Sequence, residues 1–154
     1  MAVFTKLNQA DITDVQNIFG FSKIKNFKGI KKGIENTNYI INTKSKKYVL
    51  TIFESRVNNK DLPYFMMLMD ALSKRGVKCP CPVKNKSGKY IFDLKRKKAC
   101  LVSFLEGGDK KKLLEKDLLV VGKKIGLMHK KLKKIKLKRK NSFSPLKINS
   151  LINK

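Results

Sequence analysis

Apolar residues recur along this chain with two different periods, and the switches between them mark its elements. Val15, Ile18 and Phe19 fall at helical spacing behind Asp11-Ile12-Thr13-Asp14, whose side chains can accept from the unpaired N–H groups of a first turn. Gly20 supplies a stop, so a short helix is predicted there. Between Ile24 and Gly33 the apolar positions Ile24, Phe27 and Ile30 alternate with basic ones, and Gly29 and Gly33 interrupt them. Thr37 to Thr43 then carries Tyr39, Ile40 and Ile41, which predicts a hairpin. The run from Lys47 to Glu54 is rich in β-branched and aromatic residues, and its nearly continuous apolar character predicts a central strand.

Asp61-Leu62-Pro63 opens a second predicted helix, with an acidic cap, Pro in the first turn, and Phe65, Leu68, Met69 and Leu72 at helical spacing before Gly76. Cys79-Pro80-Cys81-Pro82 reads as an extended connector, because a residue before Pro avoids the helical region. Two further strands, 89–94 and 99–104, flank the charged turn Lys95-Arg96-Lys97-Lys98 and bring the predicted sheet to five strands. Glu106-Gly107-Gly108-Asp109 reads as a flexible joint. The longest helix is predicted over 115–132, where Leu118, Val121, Ile125, Met128 and Leu132 form a stripe backed by lysines. Gly122 and Gly126, four apart near that stripe, would admit a second backbone. Beyond Leu132 the chain is nearly all basic to Lys140, and Pro145 to Lys154 is too short for another domain.

Composition narrows the class. A chain of 154 residues with 42% apolar content suits a single core. No apolar run approaches the roughly 20 residues of a membrane-spanning helix, and the first residues lack the basic-then-apolar order of a secretory signal, so a cytoplasmic location is expected. The odd number of cysteines, Cys79, Cys81 and Cys100, reads as free thiols rather than a zinc knuckle. A net charge of +26 with pI near 10.2 raises the possibility of a nucleic-acid partner gripped by the 123–140 region. Against it, the basic residues are overwhelmingly Lys, with only Arg56, Arg75, Arg96 and Arg139 offering the planar fork that suits phosphates and guanine. Abundant Lys, Asn and Ile fits the codon bias of an AT-rich genome. A steep salt dependence of DNA binding would favour the nucleic-acid alternative.

The local strings carry more than the order of elements does. Phe27-Lys28-Gly29-Ile30, Gly33-Ile34-Glu35-Asn36-Thr37-Asn38-Tyr39, Tyr48-Val49-Leu50-Thr51-Ile52-Phe53-Glu54, Asp61-Leu62-Pro63-Tyr64-Phe65 and Cys81-Pro82-Val83 each resemble their counterparts in type II homoserine kinases. So do the hinge-like run from Leu101 to Gly107 and the helical run from Val121 to His129. These enzymes belong to the aminoglycoside-phosphotransferase and choline-kinase-like superfamily. The resemblance implies an α+β fold: a protein-kinase-like small lobe, with a five-stranded antiparallel sheet and a crossing helix, then a hinge and the first helix of a truncated large lobe. It implies a nucleotide-binding small lobe over 1–105, and the hinge and start of a C-terminal lobe over 106–154. It further implies ATP and Mg2+ as cofactors and phosphorylation of the L-homoserine hydroxyl in threonine biosynthesis. Aminoglycoside, choline or methylthioribose are the alternative acceptors within the superfamily.

The family's catalytic Asp and metal-binding residues lie in its C-terminal lobe. His129 has no Asp two residues on, so a His-x-Asp catalytic loop is absent and the chain is expected to lack turnover alone. For the nucleotide, Gly29 and Gly33 would let backbone N–H groups approach phosphates, with Asn36, Thr37 and Asn38 adding polar groups. The strand position where many kinases carry a Lys is Thr51, and no Glu partner is visible among Tyr64, Phe65 and Met66, so phosphate contact passes to Lys28, Lys31 or Lys32. Asp61 and Glu54 are expected at the surface, as element boundaries. Adenine is expected against the backbone of Ser103, Phe104 and Leu105, sandwiched by Leu50 and Val102.

Overall fold

The computed structural model describes residues 3–55, 58–108, 110, 112–140 and 148–149. Asp109, at the end of the predicted joint, and the segments 141–147 and 150–154 lie outside the described residues. The order is α1 (Gln9–Phe19), β1 (Ile24–Gly29), β2 (Thr37–Thr43), β3 (Lys47–Ile52), a single 3-10 turn (Asn59–Asp61), α2 (Leu62–Lys74), β4 (Ile91–Leu94), β5 (Lys97–Ser103) and α3 (Glu115–Leu132). The five strands form one antiparallel sheet in the order β1-β2-β3-β5-β4.

Helix α1 begins earlier than the acidic run suggested. Asn8 is the cap: its side chain accepts from the Asp11 N–H at 2.9 Å, and the Asp11 carboxylate accepts from the Asn8 N–H at 2.8 Å. Asp11 is thus the third residue of the helix, and Gly20 closes it in the left-handed region at φ 70°. At α2, Asp61 occupies the cap position without making a side-chain cap bond. Its carboxylate instead accepts from the Arg139 guanidinium at 2.9 Å, and Arg139 also lies 5.1 Å over the Phe65 ring. The expected four-residue turn between β4 and β5 is in fact two residues. Lys95 and Arg96 both take positive φ, the twist that a tight hairpin requires, and Lys97 and Lys98 already belong to β5.

Because paired residues in an antiparallel ladder share a face, register decides what each side chain meets. One face carries Tyr39, Ile41, Leu50, Ile52, Phe92, Leu94, Ala99 and Leu101, packed with Ile12 and Val15 of α1. The other carries Cys100 and Val102 against Met66, Phe65 and Met69 of α2. Strand β3 sits in the middle of the sheet, yet β5 is the strand buried on both faces over 99–102. On β3 only Leu50 and Ile52 are buried, while Val49 and Thr51 stay half-buried. The nearly continuous apolar run predicted a central strand, as β3 is, although on one of its faces Val49 and Thr51 are only half-buried.

Helix α3 contributes no buried residue, and Leu118, Val121 and Ile125 of the expected stripe are 57%, 48% and 45% exposed. No atom of another element comes within 4 Å of where a Cβ would stand on Gly122 or Gly126, so among the described residues no second backbone takes the room these glycines leave. No helix among the described residues is long and apolar enough to cross a membrane.

Candidate functional site

The uncovered part of the sheet is a strip on the α2 side. Register places Lys28 opposite Ile40, Ile40 opposite Val49, Asn38 opposite Thr51, and Val49 opposite Val102. Helix α2 packs over the β5 end of that face, leaving Asn38, Ile40, Val49 and Thr51 half-buried and Lys28 exposed. The strip therefore offers an apolar floor of Ile40 and Val49, which ends at the buried Val102 beneath α2, with polar groups toward the β1–β2 loop.

At that polar end, the Thr51 hydroxyl donates to Asn38 Oδ1 at 2.7 Å, and Asn38 Nδ2 donates to the Asn36 carbonyl at 3.4 Å. Thr51 and Asn38, both expected at the site, thus meet on it. Thr51, at the strand position where many kinases carry a Lys, pairs with a neutral amide of β2 and not with a residue of α2. Gly33 lies in the loop at φ 144°, a conformation L-residues rarely adopt, so this glycine is required by the backbone. Gly29 is different. A Cβ there would lie 2.9 Å from Val3 on the α1 side, so its missing side chain makes room for the N-terminal segment rather than for a ligand.

Two expected residues face away. Leu50 is fully buried in the α1 cluster and lies on the opposite face from Val102, so the two cannot sandwich one ring. Val49, one residue earlier, is the β3 residue that shares a face with Val102. Thr37 is also fully buried on the α1 side. Its hydroxyl accepts from the Phe4 and Thr5 N–H groups at 2.9 and 3.0 Å and donates to Glu54 Oε1 at 2.8 Å. Glu54 is no surface charge: its side chain is only 12% exposed and binds Thr5, Thr37 and the Lys97 ammonium. Burial pushes its carboxyl up, but hydrogen bonds from Lys97, Thr5 and Thr37 outweigh that and hold it below the ordinary value.

At the hinge, two of the three expected backbone donors are occupied. The Ser103 N–H donates to the Cys81 carbonyl at 2.8 Å, and the Phe104 N–H donates to the Lys47 carbonyl at 3.2 Å. Ser103 Oγ also accepts from the Cys81 N–H at 2.9 Å, which locks the connector 81–83 alongside the end of β5. Leu105 is 40% exposed, and its N–H has no acceptor among the described residues. A groove of about 460 Å³ runs between the β2–β3 turn and this hinge. It is bordered by Lys47, which pairs with Glu106 at 3.2 Å and lies 5.5 Å from the Phe104 ring centre.

Among the described residues no three His, Cys, Asp or Glu side chains come together as metal ligands would. His129 is exposed in the last turn of α3. Ile40 and Val49 are the apolar residues of the strip that reading the sequence did not single out; the alternation in β2 carried a signal for the first, while the unbroken apolar run hid the second.

Compared with known proteins, residues 26–147 match the family described as "Phosphotransferase enzyme family". The chain is 36% identical over 145 residues to a homoserine kinase of Chelativorans sp. (strain BNC1), covering 94% of this chain and 45% of that one. It is 40% identical over 107 residues to a homoserine kinase of Methylobacterium radiotolerans, covering 70% of this chain and 33% of the relative. It thus spans less than half the length of these relatives. Among solved structures it resembles spectinomycin phosphotransferase in complex with ADP and spectinomycin, with a TM-score of 0.64 at 17% identity, covering 92% of this chain and 44% of that one. A microcompartment-associated aminopropanol kinase gives a TM-score of 0.61 at 13% identity, covering 80% of this chain and 40% of the other. Both likenesses show the fold, that of the N-terminal lobe of kinase-like phosphotransferases.

Proposed function

Because this chain belongs to the phosphotransferase enzyme family, we propose that it is the nucleotide-binding small lobe, residues 1–105 with the hinge and following helix over 106–154, of a kinase that phosphorylates a small alcohol. The observation that carries this reading is the uncovered strip on the α2 side of the sheet. An apolar floor of Ile40 and Val49 suits one face of an adenine ring, and the Leu105 N–H, without an acceptor among the described residues, suits a ring nitrogen. At the other end lies the loop 30–36, turned by Gly33, whose backbone N–H groups are the ones this reading assigns to phosphate oxygens, with the exposed Lys28 as a cation.

Without a strand lysine at Thr51, the chain holds the triphosphate by backbone and by peripheral lysines. The Thr51–Asn38 pair keeps the start of β2 in register beneath the loop. Magnesium, when bound with the nucleotide, would neutralise charge on the phosphates; its protein ligands belong to the half of the relatives' length that this chain does not span. The acceptor proposed is L-homoserine, supported by identities of 36–40% to homoserine kinases, with phosphoryl transfer serving threonine synthesis.

The test is a titration of the chain with a fluorescent ATP analogue in the presence of Mg2+. Saturable binding that ATP displaces, and that Val49→Asp abolishes while far-UV circular dichroism is unchanged, is the expected result. Binding indifferent to Val49→Asp would remove the strip from the site. For the acceptor, the chain joined to the remaining length that its relatives possess should release ADP faster with L-homoserine than with choline, spectinomycin or aminopropanol, and the reverse order would change the substrate.

A further inference from the structure

The loop that carries Gly33 is held at its far end by three consecutive residues, and each is tied to the end of β3. Asn36 Oδ1 accepts from the Glu54 N–H at 3.3 Å. The Thr37 hydroxyl donates to Glu54 Oε1, and Asn38 Oδ1 accepts from Thr51. Glu54 is the hub, because its backbone holds one loop residue and its carboxylate the next. That carboxylate also accepts from Thr5 Oγ1 at 2.7 Å, and the Lys97 ammonium both binds it and donates to Thr5 Oγ1 at 2.8 Å. One acid therefore gathers the N-terminal segment, the start of β2, the end of β3 and the start of β5.

Chemistry dictates what each partner does there. A hydroxyl has one proton to give, and Thr37 gives it to a carboxylate while its oxygen accepts two backbone N–H groups. Valine at 37 would keep the volume, strand these two amides and take one of three donors from the carboxylate. Glutamine at 54 would keep the shape but turn an N–H2 group against either Lys97 or the two threonine hydroxyls. The cluster lies on the α1 face, the side away from the strip, so none of its members reaches a nucleotide seated there.

We propose that Glu54, compensated by Lys97 and acting through Asn36 and Thr37, is the positioning residue of the phosphate-facing loop 30–36. The inference rests on the nucleotide reading above and adds to it the device that fixes the loop's shape. Such anchoring replaces what an ion pair across the strip would do: the loop is set from behind the sheet, not from within the cleft.

The experiment is hydrogen–deuterium exchange of the full chain read by peptide mass spectrometry, together with the ATP·Mg2+ titration. Thr37→Val and Glu54→Gln should each speed exchange over 30–38 by about tenfold or more, while peptides over 47–52 and 97–103 change by less than about twofold. Thr37→Ser, which restores the hydroxyl, should restore protection. The dissociation constant for ATP·Mg2+ should rise in the first two variants and return in the third. Unchanged exchange over 30–38, an equal rise across the whole sheet, or a Thr37→Ser as impaired as Thr37→Val would each overturn the proposal. If the unaltered chain shows no saturable ATP·Mg2+ binding, the nucleotide reading fails, and the exchange pattern still decides whether Glu54 anchors the loop.

Discussion

Leu50 and Val49 are adjacent on β3 and point in opposite directions, which makes them a sharp pair for testing which face of the sheet does what. Leu50 is fully buried against α1. Replacing it with Ala removes three carbons, worth about 0.8 kcal/mol each in transfer, or roughly 2.4 kcal/mol. The cavity left behind raises the expected loss to about 3–4 kcal/mol. Against a total stability of roughly 5–15 kcal/mol, that is a large fraction. With a urea dependence of about 2 kcal/mol per molar, the unfolding midpoint should fall by about 1.5–2 M. The chain has no Trp, so far-UV circular dichroism is the suitable probe. Val49→Ala removes two carbons from a half-buried position and should cost only about 1 kcal/mol in stability. Nucleotide affinity should reverse the ranking. Val49→Ala should weaken ATP·Mg2+ binding by about five- to tenfold, a loss of about 1 kcal/mol of ring contact. Leu50→Ala, measured well below its midpoint, should leave affinity within about twofold. Should Leu50→Ala weaken nucleotide binding more than Val49→Ala does, or move the midpoint by less than about 0.5 M, the assignment of faces would be wrong.

The remaining expectations concern other parts of the molecule. Burial pushes the Cys100 thiol up to about 12, so at pH 8 a maleimide should label Cys79 and Cys81 in the folded chain and reach Cys100 only in urea; rapid labelling of all three would contradict its burial. Glu54 has a folded-state value below its ordinary 4.5, so the stability it contributes is complete above that ordinary value and is lost as pH falls through the lower folded-state value. The difference in urea midpoint between the unaltered chain and Glu54→Gln should accordingly be constant from pH 7 to 5 and shrink in more acidic solution. Lys97, Thr5 and Thr37 are the groups that face this carboxylate, and a difference growing toward acid would refute the sign. On α3, Leu119 is 66% exposed, so Leu119→Lys should shift stability by no more than about 0.5 kcal/mol; a larger loss would mean that the helix packs on the rest of the chain.

Much of the architecture was legible because local patterning and turn chemistry agree with it. The β1–β2 and β4–β5 hairpins, the Pro-initiated α2 and the span of α3 all follow from spacing and from Gly and Pro positions. The capping box at Asn8 was legible too, since Asn followed three residues later by Asp is its signature, but the denser acidic run just beyond it drew the start of α1 inward. What the pattern hid was the difference between faces. Tyr48-Val49-Leu50-Thr51-Ile52-Phe53 is apolar on both sides because one side meets α1 and the other meets either α2 or the uncovered strip, and alternation vanishes when both faces want apolar groups. Glu54 was misplaced for another reason. Its partners lie 17 to 49 residues away in sequence, and only tertiary structure brings Thr5, Thr37 and Lys97 to one carboxylate. The hinge amides of Ser103 and Phe104 were spent on Cys81 and Lys47, two pairings that depend on where the connector and the β2–β3 turn come to rest.

The span of the contacts around Thr5 bears on how the chain matures during synthesis. Thr5 is bound by Lys97, a separation of 92 residues, and by Thr37 and Glu54 at separations of 32 and 49. The β1-β2-β3 meander closes through short turns and can form early on a ribosome. The segment before α1, although it precedes the whole sheet in the chain, gains its last partner only when β5 has emerged and docked. A chain stalled before Lys97 would hold Thr5 through Thr37 and Glu54 alone, with a half-buried carboxylate still waiting for its counter-charge.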